Sequence, residues 1–223
     1  MPGATWAIIP VKPLDEGKSR LGQELTNEGR AQLTLEMLDA VIGAVRGARG
    51  LAGWVVVSRD EVLLSHARRA GGNSLAEPGR GLNRALEEAR RWCCAQGADG
   101  VLVLHADLPL LRTSEVEQML ESGGDGRRLV LAPSFDGTGT NGLLARPADL
   151  IRYAFGPDSL SRHVESARQL GITPHLYYAI GTACDVDTPA DLQRWRLDQT
   201  HQVDADVHSH ATTQTIARRG VRA

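Results

Sequence analysis

The chain has 223 residues, of which 42% are hydrophobic, 4% aromatic and 23% charged, and its 25 Lys and Arg against 27 Asp and Glu give a formal charge of -2. That length suits one domain, able to bury roughly 70% of its unfolded surface without disulfide support. The charge balance and sparse aromatics argue against a protein built to coat nucleic acid or an anionic membrane.

The apolar run from Trp6 to Val11 predicts a buried strand ended by Pro10. It is too short for a signal h-region or a membrane span, so a soluble cytoplasmic protein is expected. A charged loop runs from Lys12 to Leu25. Thr26 then caps a helix whose Leu33, Met37, Leu38, Val41, Ile42 and Val45 hold helical spacing. Trp54 to Ser58 is a second strand, followed by a helix over about 60–70 and a short strand over 73–76. Leu82, Ala85, Leu86, Ala89 and Cys93 line one face of the next helix. Val101 to Leu104 is apolar throughout, as in a parallel strand covered on both faces. Ser114 and Glu117 read as a capping box opening another helix. Leu129 to Pro133 and Gly142 to Ala145 read as two strands joined by a Gly-Thr loop. A helix over 159–170, a strand near His175 to Tyr178 and a helix opened by Thr188-Pro189 complete the pattern.

This alternation predicts a three-layer, Rossmann-like α/β fold with a mostly parallel, mixed sheet. Residues 1–197 are expected to form a single domain, and 198–223 a polar, disordered tail. Cys93, Cys94 and Cys184 lack CxxC spacing and read as reduced thiols. Two phosphate-loop motifs fail on position. Gly137 to Gly142 satisfies GxGxxG but lies late, between two strands, instead of following the first strand and opening a helix. Its glycines then serve a tight turn or a close backbone approach to a ligand. Gly17-Lys18-Ser19 lacks the first Walker glycine, since residue 12 is Lys.

Five constellations carry candidate chemistry. Lys12, Lys18 and Arg20 follow the first strand, where α/β folds bind ligands, and could wrap a polyphosphate; a solvated charged loop is the alternative. Asp107, just past a buried strand, is placed to hold Mg²⁺. Asp185 and Asp187 have two-residue spacing, which puts both carboxylates on one side in extended chain while Val186 faces the core. Like charges so close need a cation between them, and the three aspartates together make an acidic trio. Gly81 and Asn83 open a helix whose free N–H groups face an anion, with Asn83 reading a base or ribose; an ordinary helix start is the alternative. Thr138 to Asn141, together with Phe155 to Ser159, offers hydroxyls and glycine N–H groups to a small carboxylate or phosphate. His163 is expected on the surface of its helix.

The motifs IIPVKPLDEGKSRL, EPGRGLNRAL, HADLPLL, DGTGTNGLL, FGPDSLSRH and CDVDTPADL resemble those of the 2-phospho-L-lactate or phosphoenolpyruvate guanylyltransferase family of coenzyme F-420 biosynthesis. The resemblance runs from about Trp6 to Arg196. It implies a nucleotide-diphospho-sugar transferase (GT-A) type of fold, GTP as donor and a small phosphorylated three-carbon acid as acceptor. It further implies Asp107, Asp185 and Asp187 as Mg²⁺ ligands, Thr140, Gly156 and Ser159 on the acceptor, and Lys12, Lys18 and Arg20 on the triphosphate. A molybdenum cofactor guanylyltransferase and a non-catalytic nucleotide-binding domain are the rival readings. Because the trio carries no cation of its own motif, Asn at position 107 or 187 is expected to abolish activity while keeping, or slightly stabilising, the fold.

Overall fold

The computed structural model describes residues 4–77, 79, 81–122 and 126–197; the expected disordered tail, 198–223, lies outside them. Seven strands form one sheet: β1 (Thr5–Pro10), β2 (Leu51–Ser58), β3 (Asn73–Ala76), β4 (Gly100–Leu104), β5 (Arg128–Pro133), β6 (Thr140–Arg146) and β7 (His175–Leu176). Their order is β3-β2-β1-β4-β6-β5-β7. All neighbouring pairs are parallel except those of β6, which runs antiparallel to β4 and β5. The predicted mixed, mostly parallel α/β sheet is therefore present.

Strand alternation sorts the core into two layers. Ala7 and Ile9 of β1, with Val11 just after it, pack on one face beneath α1 (Asn27–Gly47), α2 (Glu61–Arg69) and α4 (Thr113–Ser122). Ile8 faces the other way, towards α3 (Leu82–Ala95) and α5 (Ser159–Gln169). Thr26 caps α1 as expected, its hydroxyl accepting Gly29 N–H at 3.1 Å. Two short elements escaped the periodicity: a 3-10 turn, Ser19–Leu21, and α6 (Ile180–Ala183). Three or four residues are too few to show a repeat. Among the described residues no helix is long and apolar enough to cross a membrane.

A satellite cluster holds the parts of the site together. Leu21 from the loop after β1 packs with Leu33 and Met37 of α1, with Val186, and with Leu192 of the last helix, α7 (189–197). Thr188 caps α7, donating to the Asp191 carboxylate at 2.7 Å and accepting Asp191 N–H at 3.3 Å. The expected Ser114–Glu117 box is corrected. Glu117 instead accepts from the main chain and guanidinium of Arg49. Glu115 turns back to Arg112 N–H at 2.8 Å, so the helix is capped two residues earlier. The same Glu115 accepts Gly181 N–H at 3.0 Å and thereby anchors α6, which leads into Cys184 to Asp187.

The glycines of the late GxGxxG serve turn and packing. Gly137 has φ 71°, and a Cβ on Gly139 would lie 2.8 Å from Ser134 Oγ. One on Gly142 would lie 3.1 Å from both Ala132 Cβ and Met119 Cε. At Gly181 the fit is tighter: a Cβ would sit 1.9 Å from Glu115 Oε2 and 2.6 Å from the Leu110 carbonyl oxygen. Gly181→Ala should therefore displace α6 and cost about 1–3 kcal/mol, as overpacking does. Chemical denaturation checks this, and an unchanged midpoint would show that α6 is not held by Glu115.

Candidate active site

The carboxyl ends of β1, β4 and β5 and the beginning of the reversed strand β6 lie on one edge of the sheet. His105 N–H donates to the Asn141 carbonyl, and Val186 N–H to the Asp107 carbonyl, both at 3.1 Å. These bonds draw the segments after β4, at the start of β6 and after α6 together. A bulge then divides the work. Ala132 pairs with Gly142, but Pro133 pairs with Thr140, leaving Asn141 as an extra residue. Gly142 faces Met119, on the α1–α4 side. Simple alternation would send Asn141 to the opposite side. The bulge instead keeps Asn141 on the α6 side, where its Nδ2 donates to Asp185 Oδ1 at 2.9 Å and to the Ala183 carbonyl. It turns Thr140 towards His163 of α5.

On the acidic side, Lys18 Nζ donates to Asp107 Oδ2 and to Asp187 Oδ1, each at 2.8 Å. The lysine side chain is only 7% exposed, against 23% for Asp107 and 47% for Asp187. Its backbone lies in the left-handed region, φ 52°, which costs a residue with a Cβ roughly 1–2 kcal/mol. The loop is thus held in a strained form with its charge facing inward. Burial works to lower the lysine's pKa, but the two carboxylates outweigh it and hold the ammonium above its usual value. Burial likewise works to raise Asp107, and the Lys18 charge overcomes it and holds the carboxyl below the ordinary range. Asp185 goes the other way: burial, joined by repulsion from Asp107 and Asp187, raises it against the Asn141 bond.

The cation expected between the carboxylates is therefore present as Lys18, which corrects both its assignment to the triphosphate alone and the premise of an unaccompanied acidic trio. Among the described residues no three carboxylate, His or Cys side chains are placed, as they stand, to hold a metal ion. The donors still suit a hard cation. All are oxygens, and Asp107 Oδ1 is buried with no hydrogen-bond partner.

The other side is a small, hydroxyl-rich cradle. Asp136 accepts from Ser134 Oγ at 2.6 Å, Thr138 N–H at 3.0 Å and Thr138 Oγ1 at 2.9 Å, and these bonds pull its pKa down to about 2. The Thr138 carbonyl accepts Leu160 N–H at 3.1 Å, docking the start of α5 on the loop. Gly156, φ 119°, and Asp158, φ 54°, bend the chain into that helix. Thr140 and Ser159 are both buried. Asn83 donates to the Phe155 carbonyl at 3.0 Å and accepts Phe155 N–H at 2.8 Å. The expectation that Asn83 reads a base or ribose is corrected: its amide is a strut for the Phe155–Gly156 turn. Gly81 precedes α3 with φ 129° and is exposed.

The structure thus brings Lys18, Asp107, Asp185 and Asp187 into one group and Thr140, Gly156 and Ser159 into its neighbour. Lys12 and Arg20 are exposed and make no hydrogen bond or ion pair among the described residues. His163 is not a surface residue but fully buried. Its one sequence signal was the four-residue spacing from Ser159, which places both on the same helix face. Asn141 as partner of Asp185 had no signal, because it depends on the bulge.

Residues 5–202 match the family model described as guanylyl transferase CofC like. The phosphoenolpyruvate guanylyltransferase of Rubrobacter xylanophilus is 43% identical over 191 residues, covering 86% of this chain and 93% of that protein. The 2-phospho-L-lactate guanylyltransferase of Methanothermobacter thermautotrophicus is 35% identical over 189 residues, covering 84% and 82%. A solved nucleotidyl transferase from the latter organism shares the fold at a TM-score of 0.67 and 15% identity, covering 89% of this chain and 99% of its own.

The Lys18 bridge reverses one expectation from charge alone. Asp107→Asn removes one of the ammonium's two partners as well as a repulsion, so it should destabilise the metal-free protein by about 1–3 kcal/mol. Urea unfolding in EDTA measures this; a variant more stable than wild type would mean that carboxylate repulsion, not the lysine bridge, dominates.

Proposed function

The chain belongs to the guanylyl transferase family described as CofC like, and on that premise we propose that it moves GMP from GTP to the phosphate of a small phosphorylated three-carbon acid, releasing pyrophosphate. The observation that carries the reading is the juxtaposition of a Lys18-bridged acidic group with a buried hydroxyl cradle at one sheet edge. The first suits a polyphosphate with its counter-ion, the second a compact anion. Phosphoenolpyruvate is the preferred acceptor over 2-phospho-L-lactate, supported by the higher identity to the relative named for it. The product would feed coenzyme F-420 assembly in the cytoplasm.

In this reading Thr140 and Ser159 donate hydroxyls to the acceptor, and the main chain at Gly156 lies against it without a side chain. Lys12 and Arg20, exposed beside the strand end, meet the triphosphate. Asp107, Asp185 and Asp187 would hold Mg²⁺, Asp107 Oδ1 being a buried oxygen with no hydrogen bond to give up. The ion supplies charge neutralisation of the triphosphate and of the departing pyrophosphate. An acceptor phosphate oxygen then forms a bond to the α-phosphorus of GTP as the bond between that phosphorus and the bridging oxygen breaks. A phosphate monoester is largely dianionic at neutral pH, its second pKa being about 6, so no general base is needed. Lys18 would share Asp107 and Asp187 with the ion, and its bonds to both keep the loop after β1 in register with the acidic group. Positioning and charge neutralisation do the catalysis.

The test is a panel of phosphoenolpyruvate, 2-phospho-L-lactate and 3-phosphoglycerate with GTP and Mg²⁺, read by mass spectrometry and pyrophosphate release. Phosphoenolpyruvate should give the guanylated product fastest, and EDTA should abolish it. GMP transfer to none of the three would overturn the proposal, and activity undiminished in EDTA would remove the metal from it.

A further inference from the structure

Among the described residues His163 is the one fully buried histidine. Its Nε2 lies 3.0 Å from Ala154 N–H, and its Nδ1 lies 3.1 Å from Thr140 Oγ1. A main-chain N–H can only donate, so Nε2 must be the lone-pair nitrogen. Burial, with Arg162 and His105 adding smaller positive influence, pushes the imidazole's pKa down to about 4, so the ring is neutral at physiological pH. A neutral ring that accepts at Nε2 carries its proton on Nδ1, and Thr140 Oγ1 must accept it. The Thr140 hydroxyl makes no other hydrogen bond among the described residues. Its own proton is left for whatever enters the cradle. The ring is further fixed by Phe155, whose centroid lies 4.9 Å away at 72°. Ser159, one helical turn earlier on α5, is buried on the same face.

We propose that His163 is a positioning residue that commits the Thr140 hydroxyl to donating its proton to an anionic oxygen of the acceptor, while its other nitrogen holds the Ala154–Gly156 turn. The role rests on Thr140 lining the acceptor pocket. It favours an unprotonated carboxylate or phosphate oxygen in the pocket, since the Nδ1–H of His163 occupies one lone pair of the hydroxyl and turns its proton away from the ring, towards an acceptor.

The experiment measures KM for phosphoenolpyruvate and for GTP, with melting temperatures, for wild type, His163→Gln, His163→Asn, Thr140→Val and the Gln/Val double variant. Gln reaches Ala154 N–H but offers no donor at the Nδ1 position. It should raise the phosphoenolpyruvate KM about tenfold, one lost oriented hydrogen bond, with the GTP KM within about twofold. Asn places an amide nitrogen near Nδ1 and should keep the phosphoenolpyruvate KM within about threefold of wild type, although it melts lower. In the Thr140→Val background His163→Gln should add nothing further, because the two act as one unit. Additive effects, or KM changes that follow melting temperature equally in Gln and Asn, would overturn the role and make His163 a core residue. Should the Gln variant not fold, Asn decides alone: a tenfold rise in its phosphoenolpyruvate KM overturns the proposal. If Thr140→Val itself leaves that KM unchanged, the acceptor pocket is misplaced and this role falls with it. A raised KM in Thr140→Val with additive His163→Gln leaves the pocket standing and removes only His163.

Discussion

Carboxylates gathered at one edge of a sheet repel one another unless a cation lies among them. Here Lys18 is that cation, 2.8 Å from Asp107 and from Asp187. The bridge spans 89 residues to one partner and 169 to the other, so it ties the loop after β1 to the segment after β4 and to the one that precedes α7. The apolar contact beneath it, Leu21 against Val186 and Leu192, holds the same two segments together. A buried ion pair is weak evidence of stability in itself, since desolvation offsets much of the attraction. Its value here is specificity of arrangement: Lys18, in the left-handed region, holds the loop after β1 against both carboxylates at once.

The second constraint is the reversal of β6. In an all-parallel sheet the strand beside β4 would end at the edge that carries Lys18 and Asp107; the antiparallel β6 begins there. Its second residue, Asn141, therefore accepts the N–H of His105, two residues before Asp107, and the bulge turns Asn141 and Thr140 to opposite sides of the sheet. Asn141 fastens Asp185, and Thr140 meets His163. One extra residue thus separates the Lys18-bridged acidic half from the half lined by the Thr140 and Ser159 hydroxyls. That separation suits the transfer of a nucleotidyl group between two anions, which must be brought together and yet be held by different means.

The long elements were legible because each repeats its period several times. The six apolar positions of α1 and the unbroken run of β4 left little choice. That Asp107, Asp185 and Asp187 would meet was legible too, since Asp107 follows a buried strand and the pair lies in an extended segment just before a helix. The contacts that organise the site were not. Lys18 reads as one of three loop cations, and nothing local distinguishes it from Lys12 or Arg20; only the tertiary placement of Asp107 and Asp187 turns it inward. Asn83 reads as a ligand donor because its strut partner, Phe155, is 72 residues away. His163 reads as a helix surface residue because α5 has Arg, Glu and Gln around it, and its burial depends on the docking of the Thr138 loop. The Glu115 cap was missed for a simpler reason: Ser114-x-x-Glu117 offered a better-looking box, whose glutamate Arg49 claims.

If Lys18 is the counter-charge of the acidic group, removing it must leave the carboxylates more available to any other cation. Calorimetric titration of Mg²⁺ into wild type and Lys18→Met, without nucleotide, measures this directly. The variant should bind Mg²⁺ about tenfold more tightly, close to 1.4 kcal/mol, while losing guanylyl transfer. Equal or weaker Mg²⁺ binding in Lys18→Met would contradict the account, because the lysine and the metal would then not be addressing the same carboxylates.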